Sequence, residues 1–331
     1  MDVLSEVLKV VKLEGALFFN AEFSAPWCLR SPSATDMARY LSRDEGRVIT
    51  YHFLTEGRAY ARLPDGRREE LSAGDIVVIP QGEVHFLGNG SPETPVDSLR
   101  TFSKNLADGL KLVRFGGGGE ITRFVCGFMA CDRRLSEVFL AGLPALLKVN
   151  VAREPSGQWL EHSIRFSVDQ ANGSNAGSGL VLARLSELLF VETLRRYVSS
   201  LPEDQIGWLA GARDPVVGQV LAHMHREPAH AWTISNLAKR VGLSRTRLAE
   251  RFRHFVGESP MAYLAQWRLK LGAEILQSTE GSVAEVAAAV GYGSEAAFNR
   301  AFKREFNCPP ARFRKRNTLP SQPSQTIRGH G

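Results

Sequence analysis

The 331-residue sequence predicts a multidomain α+β protein. An N-terminal β-barrel of jelly-roll-like type is followed by helices, and a C-terminal all-α domain carries two helix-turn-helix motifs. Three observations lead there. Short alternating apolar runs divided by turn residues fill the chain to about residue 130. From Asp132 the apolar spacing changes to three and four. In the last hundred residues one helix-turn-helix pattern occurs twice at a fixed offset, which is unlike chance.

The strand region holds VITYHFL, RAYARL and DIVVIP, with Pro64-Asp65-Gly66 as a turn between two of them. The glycine run Gly116 to Gly119 precedes ITRFVCGFMA. No GK[ST] follows it, so it reads as a flexible loop rather than a phosphate cradle.

Within this region Gly74-x5-Pro80-x-Gly82-x2-His85-x3-Asn89 is similar at every spacing to the second cupin motif. Physically it describes a glycine turn, a buried strand and a second turn that aims His85 into the mouth of a small barrel. The first cupin motif is largely missing. If Gly57 is its closing glycine, Thr50 stands where the resemblance implies a metal-binding glutamate, and residues 43 to 46 hold no histidine. His52 lies two residues beyond Thr50, hence on the same strand face, and is expected to point inward with His85. Two inward imidazoles could hold Zn or Cu with a soft thiolate, so His52, His85 and Cys28 form the candidate metal set, with Cys126 able to supply a second thiol. Cys28, Cys126 and Cys131 have three readings: structural thiols, oxidant-reactive thiols or metal ligands. Reactivity needs a lowered pKa, toward which Arg30 near Cys28 and Arg133 and Arg134 near Cys131 would help. Four cysteines without a CxxC pair give no disulfide scaffold.

Leu135, Phe139 and Leu143 open a helical segment of about 132–200, interrupted by a loop at 168–179. In its last helix Val181, Leu182, Leu185, Leu188 and Leu189 make an apolar stripe that either packs on the core or forms a dimer seam. Pro202 and the run Gly211 to Pro215 punctuate the approach to the repeats. The domains therefore read as 1–205 and 206–316, followed by a disordered tail at 317–331.

The first repeat has a supporting helix Thr233–Arg240, a turn Val241-Gly242-Leu243 and a recognition helix capped by Ser244. Leu248, Phe252 and Phe255 face its core. Arg245, Thr246 and Arg247 are the candidates for base edges, with Arg251 and Arg253 for phosphates. The second repeat runs from Ser282 to Ala289, turns at Gly291-Tyr292-Gly293 and is capped by Ser294, with Phe298, Phe302 and Phe306 inward. Glu295, Ala296, Asn299 and Arg300 lie outward or on the flanks. Asn299 suits adenine and Arg300 guanine, while Lys303, Arg304 and the cluster Arg312, Arg314, Lys315, Arg316 suit phosphate. A helix opened by Ser259-Pro260 and carrying Leu264, Trp267, Leu271 and Ile275 joins the repeats. It would hold the two readers about 34 Å apart, one turn of duplex.

Residues 215–316 resemble the AraC/XylS-type DNA-binding domain, most plainly in GESPMAYLAQWRLKLGAEIL and AAAVGYGSEAAFNRAFKREFNCPPARFRK. Cys308 departs from the family pattern and is expected to be a surface or semi-buried thiol. The N-terminal half resembles the cupin-type sensor of one branch of these regulators. The resemblance implies a DNA-binding transcription regulator, most often an activator, that binds double-stranded promoter DNA, works with RNA polymerase, responds to a small molecule or an oxidant, and forms a homodimer. Charge agrees: residues 214–316 hold 16 Lys+Arg against 9 Asp+Glu, while the remainder holds 25 against 26. No run of apolar residues is long enough to cross a membrane, and the N-terminus lacks a secretory pattern, so a cytoplasmic protein is expected. Two rival readings are a cupin metalloenzyme, an oxygenase or isomerase, fused to a DNA-binding domain, and an effector-independent DNA binder. An iron oxygenase needs two histidines and a carboxylate, and only a poorly placed Glu56 is offered.

Overall fold

The computed structural model describes residues 4–5, 14–40, 46–90, 94–107, 112–132, 140, 142–172, 177–202 and 204–317. Packing divides the chain after Arg213 into two compact units.

The first unit contains, in chain order, β1 (Glu14–Ser24), β2 (Trp27–Ser31), α1 (Ala34–Tyr40), β3 (Gly46–Glu56), β4 (Arg58–Arg62), β5 (Arg68–Ser72), β6 (Asp75–Ile79), β7 (His85–Asn89), β8 (Val96–Asp97), α2 (Ser98–Ala107), β9 (Val113–Gly116), β10 (Ile121–Asp132), β11 (Leu147–Asn150), α3 (Pro155–Asn172), α4 (Ser178–Ser200) and α5 (Trp208–Arg213). Six strands form one sheet, in the order β11-β6-β3-β10-β1-β9, and five form another, β5-β4-β7-β2-β8. Across one shared core, Phe23, Leu54, Val77 and Phe124 of the larger sheet meet Trp27, Leu29, Ala61 and Leu87 of the smaller. The barrel expected from sequence is therefore an open jelly-roll-like sandwich, since neither sheet closes on itself.

Strand β3 explains its own sequence. It lies between β6 and β10, and both of its faces are buried: Thr50, His52 and Leu54 on one, Ile49, Tyr51 and Phe53 on the other. A strand covered on both faces reads as the near-continuous apolar run VITYHFL. The Tyr51 hydroxyl meets the Ser186 hydroxyl of α4 at 2.6 Å.

Several expectations change here. Helices α1 and α2 interrupt the predicted strand region. β10 runs on to Asp132, and β11 pairs with β6 inside the segment expected to be helical, because Leu147 and Val149 complete the edge of the sheet. α3 continues through Asn172, so the expected loop starts later. Leu135, Phe139 and residues 318–331 lie outside the described residues. The glycine run is a packed turn rather than a flexible loop: Gly117 and Gly119 donate to the Ser24 and Ala25 carbonyls at 2.8 Å, and a Cβ on Gly116 would stand 1.9 Å from the Ser24 carbonyl oxygen. α5 packs on α4, and Arg213 donates to the Leu201 and Pro202 carbonyls, which keeps residues 208–213 with the first unit.

The second unit is helical from its start: α6 (Val217–Arg226), α7 (Ile234–Arg240), α8 (Arg245–Val256), α9 (Pro260–Ser278), α10 (Val283–Ala289), α11 (Glu295–Phe306) and α12 (Pro310–Asn317). The two repeats are α7–turn–α8 and α10–turn–α11. Thr233 and Ser282 each close a capping box, so both supporting helices begin with their free amides satisfied. The turns need glycine: Gly242 and Gly291 have φ of +68° and +84°, where a Cβ is strained. Leu269, Leu276, Val286, Val290, Phe298 and Phe302 share the second repeat's core. Cys308 is buried there as well, since the chain turns inward ahead of α12, and is not the surface or half-exposed thiol expected.

Candidate nucleic-acid interface and sensor site

The second helices of the two repeats, α8 and α11, are built alike. Ser244 Oγ accepts from the Arg247 amide at 3.3 Å, and Ser294 Oγ from the Ala297 amide at 3.2 Å. Each cap fixes where its helix begins. Leu248, Phe252, Phe298 and Phe302 are fully buried, which turns the opposite faces outward. On α8 the exposed residues include Arg245, Thr246, Arg247 and Arg253. On α11 they include Glu295, Arg300, Lys303 and Arg304, while Asn299 is half-buried, its amide 3.4 Å from the Glu295 carboxylate. Phe255 and Phe306 are only partly covered, because each lies at the end of its helix.

Some arginines are committed elsewhere. Arg251, expected at phosphate, forks onto Asp214: its Nε lies 3.0 Å from Oδ1 and an Nη 2.5 Å from Oδ2. Asp214 also caps α6 by accepting from the Val216 and Val217 amides. Although burial opposes ionisation of Asp214, its hydrogen bonds from Arg251 and the Val217 amide win and hold the carboxyl below the usual range. Arg314, also expected at phosphate, donates to the Leu276 and Gly281 carbonyls. Sequence reasoning passed over Arg268, whose guanidinium reaches the Pro228 and His230 carbonyls at 2.7 and 2.8 Å, and Asp214. The signal available for Asp214 was its place three residues before the α6 apolar run.

In the first unit, β3 and β7 carry His52 and His85 toward each other across the two sheets. Their Nε2 atoms are 2.6 Å apart. His52 Nδ1 lies 2.9 Å from Cys126 Sγ, as the β3–β10 register places Cys126 directly beside it. His85 Nδ1 lies 2.9 Å from the Glu83 carbonyl oxygen. That carbonyl only accepts, so His85 Nδ1 carries a proton. Burial lowers His85 to about 4, and burial with the neighbouring His85 lowers His52 well below its ordinary value, so both rings are neutral. Proton order then follows. His85 Nε2 accepts from His52 Nε2, and His52 Nδ1 accepts from the Cys126 thiol. Burial pushes that thiol up, so it is protonated at rest. An almost wholly apolar cavity of about 50 Å³ lies beside His52 and Cys126, walled chiefly by Phe23, Leu29, Met37, Leu87, Phe102 and Phe128, with Ser31 and Ser98 also in its lining.

Cys28 does not join the histidines. In β2, Trp27, Leu29 and Ser31 face the core, so strand parity sends Cys28 and Arg30 to the other face. There Cys28 Sγ accepts from the Tyr60 hydroxyl at 3.5 Å, and Arg30 pairs with Asp97 instead of the thiol. The side chain of Cys131, with Arg133 and Arg134, lies outside the described residues. The donors do not fit Zn or Cu: the two imidazoles share a hydrogen bond where an ion would have to stand, Thr50 brings no charge, and Glu56 is drawn outward to Arg123. Among the described residues no group of three His, Cys, Asp or Glu side chains is arranged to hold a metal, and no helix is long and apolar enough to cross a membrane.

A family model described as Cupin matches residues 2–199, and one described as Helix-turn-helix domain matches residues 237–316. The chain is 31% identical over 322 residues to an AraC-like transcription regulator of Streptomyces lividans, covering 97% of this chain and 100% of that one. It is 27% identical over 321 residues to the HTH-type transcriptional regulator AlkR of Acinetobacter baylyi, covering 96% and 100%. It is also 27% identical over 317 residues to the RCS-specific HTH-type transcriptional activator RclR of Escherichia coli, covering 96% and 98%. Cupin domain first and double helix-turn-helix second, the chain belongs to the AraC family of DNA-binding transcription regulators.

Proposed function

We propose that this regulator is an effector-responsive activator that works as a homodimer on promoter DNA in the cytoplasm, together with RNA polymerase. One observation carries the reading: a single helical unit holds two serine-capped helices whose first turns are outward. Arg245, Thr246 and Arg247, with Asn299 and Arg300, address base edges; Arg253, Lys303 and Arg304 hold phosphates. In the sensor unit the cavity beside His52 and Cys126 takes the effector, a small uncharged molecule, because its walls are apolar and the polar atoms of the histidine chain already satisfy one another. The activator name of the relative RclR supports the direction of control.

The second copy is assigned to the α3–α4 hairpin. Leu182, Leu185 and Leu189 are buried, which gives the inner part of the α4 stripe to the core. Val181 and Leu188 remain about half exposed one heptad apart, and on α3 Trp159 and Phe166, with the same spacing, are 60% and 65% exposed. Large apolar side chains gathered on one helical hairpin suit a two-fold contact with the same hairpin of another chain.

The test is enrichment of genomic fragments by the full chain, followed by footprinting of the fragments retained. The expected footprint covers two adjacent major-groove segments per chain. Retention of all fragments alike would remove the reading of a sequence-specific regulator.

A further inference from the structure

The sensor interior holds an arrangement that a passive binding pocket does not need. Cys126 Sγ lies 2.9 Å from an imidazole nitrogen of His52, that ring is held by His85 at 2.6 Å, and His85 is held by the Glu83 carbonyl at 2.9 Å. A nucleophile, a base within reach and a third group that orients the base are the parts of an activated nucleophile. The proton order makes it directional: the thiol proton points at the one ring nitrogen free to take it. Cys126 also lines the apolar cavity, as do Ser31 and Ser98.

Resting on the effector-site reading above, we propose that the effector is captured covalently: Cys126 adds to a small neutral α,β-unsaturated carbonyl compound seated in the cavity. As Sγ bonds to the β-carbon, the alkene π pair moves toward the carbonyl and the thiol proton passes to His52 Nδ1. The imidazolium returns that proton to the α-carbon. The thiol hydrogen ends on the adduct, a thioether replaces the thiol, and nothing is oxidised. Burial keeps the resting sulfur protonated, so the reaction needs the imidazole contact at the moment of bonding, and a charged electrophile is refused by the apolar walls.

The chain supplies its own controls. Cys28 and Cys308 are equally buried, but Cys28 faces a tyrosine hydroxyl and Cys308 sits in the helical core. The full-length reduced protein is treated with methyl vinyl ketone, and in parallel with its saturated twin butanone, with iodoacetate and with hydrogen peroxide. Adducts are mapped by peptide mass spectrometry. Methyl vinyl ketone is expected to label Cys126 at least tenfold faster than Cys28 and Cys308, with iodoacetate excluded from Cys126 in the folded chain. His52→Gln, which keeps a hydrogen-bonding side chain but no base, is expected to slow Cys126 labelling at least tenfold, with its circular dichroism unchanged. Equal labelling of Cys126, Cys28 and Cys308, labelling of Cys126 only in denaturant, or oxidation of Cys126 without alkylation would each overturn the proposal. Butanone separates the two readings: if it raises the melting temperature while methyl vinyl ketone leaves Cys126 intact, the cavity still binds effector and only the covalent step fails. If neither compound acts, both readings fail.

Discussion

At the scale of single residues the protein is organised around buried imidazoles. His52 and His85 join the two sheets, and in the helical unit His225 stacks on Trp267 with centroids 4.1 Å apart and bonds the Tyr263 hydroxyl at 2.7 Å. Burial lowers His225 to about 3 and His85 to about 4, against about 6.5 in an unfolded chain. Below pH 6.5 the unfolded chain therefore takes up protons that the folded chain refuses, and acid favours unfolding. Stability is expected to be full above about pH 7 and to fall as pH drops from 6.5 toward 4, by about 2 kcal/mol per ring at pH 5. Thermal melts at pH 7.5 and pH 5 check this, and an unchanged melting temperature would refute it. Arg247 is the other residue that invites a direct measurement. Its amide is tied to the Ser244 cap while its side chain is exposed, so Arg247→Ala should cost about 1–3 kcal/mol on the operator and much less on random DNA. Equal losses on both would make it a phosphate contact.

Elements show why some of this was legible in the sequence and some was not. The repeats were readable because caps, glycine turns and phenylalanine spacing are local: Ser244, Gly242 and Phe252 do in the structure what their types require. His52 and His85 were readable as inward because strand alternation is local too. Cys28 was misassigned because parity along WCLRS was not followed, and β11 was missed because its pairing partner β6 lies about seventy residues earlier in the chain. Arg251 looked like any exposed arginine of a recognition helix until the fold brought Asp214 to it, from 37 residues away. Salt dependence separates the two kinds of arginine. Arg253→Ala should reduce the slope of log affinity against log salt by about 1, as loss of one phosphate contact does. Arg251→Ala should leave that slope unchanged and instead lower the denaturation midpoint, because it leaves Asp214, the cap of α6, without its cation. A reduced slope for Arg251→Ala would return it to the DNA surface.

For the whole molecule, the proposed homodimer would join the two helix-turn-helix motifs of each chain into one unit. A homodimer places four reading helices on one operator, and the second chain's binding becomes intramolecular, worth a factor of about 100 or more without any new DNA contact. The α3–α4 hairpin is suited to this because α4 touches both sides of the problem. Its inner face packs on β1 and meets Tyr51, the neighbour of His52, through Ser186, while Val181 and Leu188 face outward. Under the two proposals above, an event at Cys126 that shifts β3 would be one hydroxyl pair away from the proposed seam. Leu188→Glu adds charge where the side chain is 48% exposed and should leave the fold intact, whereas Leu189→Glu, at 1% exposure, should unfold the unit. Sedimentation equilibrium is expected to show Leu188→Glu as a monomer. Its affinity for a full operator should fall about 100-fold while its affinity for a single half-site stays unchanged. If the variant remains dimeric and binds the full operator normally, the seam lies elsewhere and α4 serves the core alone. If it becomes monomeric and half-site binding falls equally, the helix has been damaged rather than the interface, so half-site affinity is the measurement that distinguishes a lost partner from a lost fold.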